Sequence, residues 1–255
     1  MRARTIVTAG AALLLPSAWS RVVLRLLGHR IGAGARIGFS LVVVDRLYMD
    51  KDAVIGHANL IRIKKLLMRR EARIGRLNVL YGPFSVCLHL RAKIGNANKV
   101  TRAPQGPVTV GPALLRLGEV AAITAQHRID CGASVAIGDF STLAGIGTQV
   151  WTHGYIHEMQ GIGRYRIDGG VSIGNNVYIG TGSIISMGVH IGPGVIVGAG
   201  TTVARDLQEP GLYVSAALRQ LPRPEQPELR ADLVRVVDGE LTEIVYRKLR
   251  KAPRA

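Results

Sequence analysis

The chain has 255 residues, 47% of them hydrophobic but only 5% aromatic, with 31 glycines. So little aromatic mass argues against a compact helical core and favours many short strands joined by tight turns. The formal net charge of +16 favours anionic partners such as a membrane surface or a phosphorylated small molecule, whereas the scattered basic residues form no aromatic-interleaved stripe of the kind that stacks nucleic-acid bases.

Residues 1–30 open the chain. Arg2 and Arg4 precede an apolar stretch that ends near Pro16. The stretch has the outline of a short signal peptide and is too short to span a bilayer. From Ser17, the apolar residues Val22, Val23, Leu26 and Leu27 alternate with Arg21 and Arg25 at helical spacing. This predicts one short basic amphipathic helix that caps the end of the repeat domain or rests on a membrane surface.

Residues 31–221 carry the repeat. Aliphatic-Gly pairs fall at Ile31-Gly32, Ile37-Gly38, Ile55-Gly56, Ile74-Gly75, Ile94-Gly95, Val110-Gly111, Ile137-Gly138, Ile173-Gly174, Ile179-Gly180, Ile191-Gly192 and Val197-Gly198. From 173 the register is continuous: IGNNVY, IGTGSI, ISMGVH, IGPGVI, VGAGTT, VARDLQ. The opening aliphatic points inward, and the small residue after it lets the chain turn a corner without a Cβ clash. Three hexapeptides make one coil, and each coil buries its face only against its neighbours. About ten coils of this period fit between 31 and 208. Register is looser before residue 130, where Leu60–Glu71 reads equally as a long basic strand or a short helix.

The repeat breaks at 151–170, which reads WTHGYIHEMQGIGRYRIDGG. Insertions in a solenoid map to loops, and such loops often carry function. This one concentrates His153, His157, Glu158, Arg164, Arg166 and Asp168 with Trp151, Tyr155 and Tyr165.

From about Ile123 to Arg223 the chain resembles the hexapeptide acyltransferases, which include galactoside, maltose and xenobiotic acetyltransferases and polysaccharide O-acetyltransferases. THGY at 152–155, IGNNVYIG at 173–180 and VGAGTTVARD at 197–206 carry the resemblance, in the same order. It implies an all-β, left-handed parallel β-helix with a short N-terminal helix and a small C-terminal extension. The left hand comes from the resemblance alone, since it runs against the usual crossover rule. It also implies an acyl-CoA-dependent O-acyltransferase that moves an acyl group, by family precedent acetyl, to a sugar or cell-envelope glycan precursor. N-acylation of a nucleotide amino sugar is the alternative within the family.

The residue roles come from the same resemblance. His153, heading the insertion, would be the general base, and imidazole chemistry suits that task near neutral pH. His157 would orient His153, bind the acceptor, or be a bystander. His127 and Asp130 would lie a coil or more before His153, across a subunit boundary in one arrangement; His127 reads equally as a buried coil residue. The galactoside and maltose enzymes carry an Asn near the position of Thr124, and this departure leaves the acceptor contacts open. Trp151, Tyr178, Thr181, Gly198 and Ala199 would line the CoA cleft, with Tyr178 in place of a Trp. Arg205 and Arg219 would meet CoA phosphates, for which a guanidinium fork is suited. The resemblance implies a homotrimer with each site between neighbouring helices, acetyl-CoA as cosubstrate and no metal.

Other readings share the repeat. A metal β-helix enzyme of the γ-carbonic-anhydrase kind needs three His around zinc; His127, His153 and His157 could supply them, but with three residues between the last two instead of that family's four. A scaffold using the basic helix is a non-enzymatic reading. Two cysteines, Cys87 and Cys131, make no disulfide framework and fit a reducing cytoplasm, with contact at the inner membrane face an option. Residues 222–255 leave the repeat: PRPEQP is a linker, and the chain around Asp238-Gly239 reads as a hairpin or a helix.

Overall fold

A computed structural model describes residues 3–104, 108–215, 227–237 and 244–249. The repeat builds a parallel β-helix. Its first wall is a 9-stranded parallel sheet on which Ile37, Ile55, Ile74, Ile94, Ile123, Leu143, Ile179 and Val197 pair one to the next. Each side chain of this column is buried, and each contributes roughly 1.5–3 kcal/mol by leaving water. That sheet has nine rungs, one fewer than the period suggests, because the coils between Ile94 and Ile123 and between Leu143 and Ile179 carry extra residues.

The other two walls form one 14-stranded sheet. They merge because strands Leu41–Met49 and Leu60–Met68 run round the corner without a break. The first half of Leu60–Met68 pairs with Val79–Tyr81, and the second half pairs with Ser85–Leu88. The basic segment from Leu60 is therefore strand, with Arg62, Lys64 and Lys65 outward and Ile61, Ile63 and Leu66 buried. Small residues come after the inward aliphatics for a steric reason. A Cβ on Gly75 would lie 2.4 Å from the Gly95 carbonyl oxygen of the next coil.

One corner is held by a buried polar ladder. Ser40 Oγ accepts the backbone N–H of Asn59, Asn59 Oδ1 that of Asn78, Asn78 Oδ1 that of Asn98, and Asn98 Oδ1 that of His127. His127 Nδ1 then accepts the N–H of Thr148 at 3.1 Å. Each step satisfies a buried donor that would otherwise cost about 1–3 kcal/mol.

The N-terminus forms two helices instead of the single predicted one: α1 (Ala3–Leu14) and α2 (Ser17–Leu26). Pro16, which precedes α2, separates them. Leu24 of α2 is fully buried in the same core as Ile31 and Ile37, so α2 caps the first coil. Ser17 Oγ accepts the Ile37 N–H, and Arg25 Nε donates to the Ile31 carbonyl. α1 lies on strand Leu41–Met49. Thr8 Oγ1 meets His29 Nε2 at 2.9 Å, and His29 Nδ1 accepts the Leu47 N–H. No helix among the described residues is long and apolar enough to cross a membrane.

The insertion is a hairpin, not an irregular loop. Val150 pairs with Ile129 and Val171 with Val135, so 21 residues span a step that takes six in the preceding coil. Within the excess, His153–His157 and Arg164–Asp168 pair antiparallel. The C-terminal extension joins them: Ile244–Lys248 runs parallel to Arg164–Asp168, and Leu233–Val236 pairs antiparallel on its outer side. The hairpin reading of the tail therefore holds for its strands, while Asp238-Gly239 lies outside the described residues. Period-two alternation puts Ile156 against a small core of Ile167, Leu233 and Tyr246, and His153, Tyr155 and His157 on the opposite face.

Candidate active site

Asp130 ends strand Arg128–Asp130, and His153 begins the hairpin one coil later. Both belong to one chain and to adjacent coils, closer than the sequence pattern suggests. His153 Nδ1 lies 2.8 Å from Asp130 Oδ2. The same carboxylate oxygen accepts the N–H groups of Thr152 and Gly132, each at 3.2 Å, and the Thr152 hydroxyl. Burial alone would raise the Asp130 carboxyl. The hydrogen bond and charge of His153, then the bonds from Thr152 and Gly132, outweigh it and hold the carboxyl below its ordinary value. Asp130 is thus a fixed anion aimed at one imidazole nitrogen, Nδ1. Gly132 packs closely here: a Cβ there would come within 3.1 Å of Asp130 Oδ2 and 3.0 Å of Arg166 Nη2, and these side chains would have to shift by a few tenths of an ångström.

Aromatic edges flank the imidazole. Trp151 and Tyr155 stand nearly perpendicular to it, with ring centroids 6.0 and 6.1 Å away. Trp151 is half-exposed, and its Nε1 donates to Gln149 Oε1. Asp168 pairs with His153 across the hairpin and binds Arg166 Nε at 2.9 Å. Desolvation pushes the Asp168 carboxyl up against the pull of Arg166. The Arg164 and Arg166 guanidinium groups both approach the Tyr155 ring, at 5.0 and 5.7 Å.

The remaining expected residues divide by position. His127 is fully enclosed, with Nδ1 on Thr148 and Nε2 on the Thr124 hydroxyl. Burial lowers its affinity for a proton. It occupies the ladder position taken by Asn in three earlier coils. His157 sits four residues along the strand from His153, about 13 Å away at strand rise, so Asp130 and not His157 orients the imidazole. His127, His153 and His157 do not converge, and no three His, Cys, Asp or Glu among the described residues are placed to hold a metal ion.

Tyr178, Thr181, Ala199 and Arg205 are exposed, and Gly198 is half-buried beside Val214. Thr181 Oγ1 accepts the Ile146 N–H and donates to the Ile146 carbonyl. That places Tyr178, Thr181, Gly198 and Ala199 before the wall that carries Gln149–Val150, while His153 comes after its end, four extended residues or about 13 Å away. Arg205 instead follows Val203, which pairs through Ile185 with Val150, so it lies on the His153 edge, two coils on. Arg219 lies outside the described residues. Sequence reasoning missed Thr152 and Gly132, whose only signal is a Thr one coil above an Asp-x-Gly.

No protein-family model and no curated protein matches this chain. Among solved structures, the polysialic-acid-specific acetyltransferase NeuO aligns at a TM-score of 0.40 and 16% identity, over 89% of this chain and 83% of its own. AntD, an N-acyltransferase from Bacillus cereus solved with dTDP and 3-hydroxybutyryl-CoA, aligns at 0.37 and 20%, over 83% and 92%. The polysialic acid O-acetyltransferase OatWY aligns at 0.37 and 13%, over 79% and 95%.

Proposed function

We propose that the protein is an acyl-CoA-dependent O-acyltransferase that acylates a hydroxyl of a sugar or glycan precursor, with His153 as general base. The observation that carries this is the 2.8 Å contact between His153 Nδ1 and a carboxylate already saturated by Thr152 and Gly132. A carboxylate held in this way fixes the imidazole tautomer and stabilises the imidazolium that forms during reaction. The acceptor O–H gives its proton to His153 Nε2 as the oxygen forms a bond to the thioester carbonyl carbon. Collapse of the tetrahedral intermediate breaks the carbon–sulfur bond, and the imidazolium returns the proton to the departing CoA sulfur. An N-acylation would use the same base on an amine.

Tyr178, Thr181, Gly198, Ala199 and Arg205 belong to the acyl-CoA cleft in this reading. The distance of Tyr178, Thr181, Gly198 and Ala199 from His153 within one chain supports a site completed by a neighbouring copy, in a homotrimer. The chain would act in the cytoplasm. The exposed Ile6, Val7, Leu13, Leu14, Trp19 and Val22 of the N-terminal helices suit contact with the inner membrane face. Incubation with acetyl-CoA and a panel of sugars, nucleotide sugars and cell-envelope glycans, with detection of the released thiol, tests the reaction. His153→Ala should abolish release. Turnover that survives this substitution refutes the assignment of the base.

A further inference from the structure

A cavity of about 530 Å³ lies below the His153 site, lined among others by Asp45, Arg62, Lys64, Tyr81 and Arg102. It shares an outer row with Asp130. Arg62 pairs with Tyr81, Tyr81 with Thr101, and Thr101 with Asp130, one coil at a time. The inward residues of those strands, Ile61, Leu80, Val100 and Ile129, are buried, so all four row members project to the same side. Strands stack about 4.8 Å apart, which puts Tyr81 about 10 Å and Arg62 about 14 Å from Asp130.

The cavity wall carries an excess of positive charge: three cations against one carboxylate. Arg102 is the telling member. It is 2% exposed, and among the described residues its Nη atoms donate to the carbonyls of Pro83, Val110 and Gly111. Its Nε has no hydrogen-bond partner, and no carboxylate lies within ion-pair distance among the described residues. An enclosed cation with no carboxylate at ion-pair distance is costly and is favoured by an anion brought to it. Burial lowers the Arg102 proton affinity, while Asp168 and Asp130 act on it through charge alone. Arg62 stacks on the Tyr81 ring at 5.4 Å and donates to its hydroxyl, which fixes a planar cation at the cavity mouth.

We propose that this cavity is an anion subsite that takes a phosphate or carboxylate group of the acceptor, three to four strand spacings, roughly 14–19 Å, from the coil that carries His153. This deepens the acyl-transfer reading and rests on it for the word acceptor. The acceptor is then anionic and longer than a free monosaccharide.

The test is calorimetry on the full chain without acyl-CoA. The probes are inorganic pyrophosphate, tri-galacturonate and, as neutral control, maltotriose. Binding of pyrophosphate or tri-galacturonate is expected, and which one binds identifies the source of the charge. The double variant R62A/K64A should weaken that binding at least tenfold, and His153→Ala should leave it unchanged. Both substituted side chains are exposed, and a thermal melt checks that the fold persists. Equal binding by wild type and double variant, no binding of either anion, or maltotriose binding as tightly overturns the proposal. Anion binding without acyl transfer to any acceptor leaves the subsite standing and sinks the transferase reading. Acyl transfer without anion binding does the reverse.

Discussion

Replacing Asp130 with Asn isolates the charge at the centre of the site. Four donors converge on one oxygen of Asp130: His153 Nδ1, the Thr152 N–H and hydroxyl, and the Gly132 N–H. An amide oxygen in that place keeps the hydrogen bonds but removes the anion. An amide NH2 in that place opposes every donor and inverts the imidazole tautomer. Either way the imidazolium formed during proton transfer loses its counter-charge. Two unit charges about 4 Å apart at an effective dielectric near 20 attract by about 4 kcal/mol. The Asp130 side chain is 12% exposed, so solvent screens part of this and leaves about 2–4 kcal/mol in the transition state. That corresponds to a fall in kcat of roughly 30- to 1,000-fold. The assay is thiol release from acetyl-CoA at saturating acceptor, with KM for acetyl-CoA measured alongside. KM should change little, because Asp130 lies behind His153. A kcat within threefold of wild type, beside an inactive His153→Ala, would refute the role given to the carboxylate.

His127→Asn should fold normally and keep kcat within about threefold, since Asn supplies the ladder acceptor in three earlier coils. His127→Ala should instead lose about 2 kcal/mol in urea unfolding by orphaning the Thr148 N–H. Burial, then the Arg4 charge, lowers the pKa of His29 from 6.5 to about 4. Its contribution is therefore fully present above pH 6.5 and is lost between 6.5 and 4, on the order of 3 kcal/mol; hydrogen exchange at pH 7 and 4.5 should show α1 and α2 losing protection before the coils do, and uniform loss would contradict this. Tyr246 is 2% exposed and meets the Tyr165 ring edge-on at 5.6 Å. Tyr246→Ala should cost about 3 kcal/mol locally, open residues 153–168 to proteolysis and lower kcat about tenfold; unchanged proteolysis would show that the tail does not hold the hairpin.

Much of the architecture was legible because it is one-dimensional. Each aliphatic-Gly pair marks one hexapeptide, so Ile37, Ile55, Ile74, Ile94, Ile179 and Val197 of the first wall were readable, while Ile123 and Leu143, which no Gly follows, were not. The His153 insertion was visible as the place where counting fails. What stayed hidden depends on two segments meeting. The Asp130–His153 contact joins residues 23 apart, and only the extra residues in each coil decide which outward side chains face one another. His127 stayed open in the sequence because a His in a polar ladder and a His in an active site look alike as letters; its acceptor role appears only beside Asn98 and Thr148. The tail read equally as a hairpin or a helix, and its destination was not readable at all. Ile244–Lys248 finds an edge that exists only after the insertion has folded.

The ladder from Ser40 to His127 has a consequence for how such a protein can change. Every rung hands one acceptor to the next, whether the chain between rungs is 19, 20 or 29 residues long. Whole coils can therefore be gained or lost without disturbing either end. The separation between the cationic cavity and His153 is quantised in steps of one strand spacing, about 4.8 Å. Inserting a duplicated coil between Arg102 and Asp130 would make a molecule that measures out an acceptor one step longer, with both ends of its gauge intact.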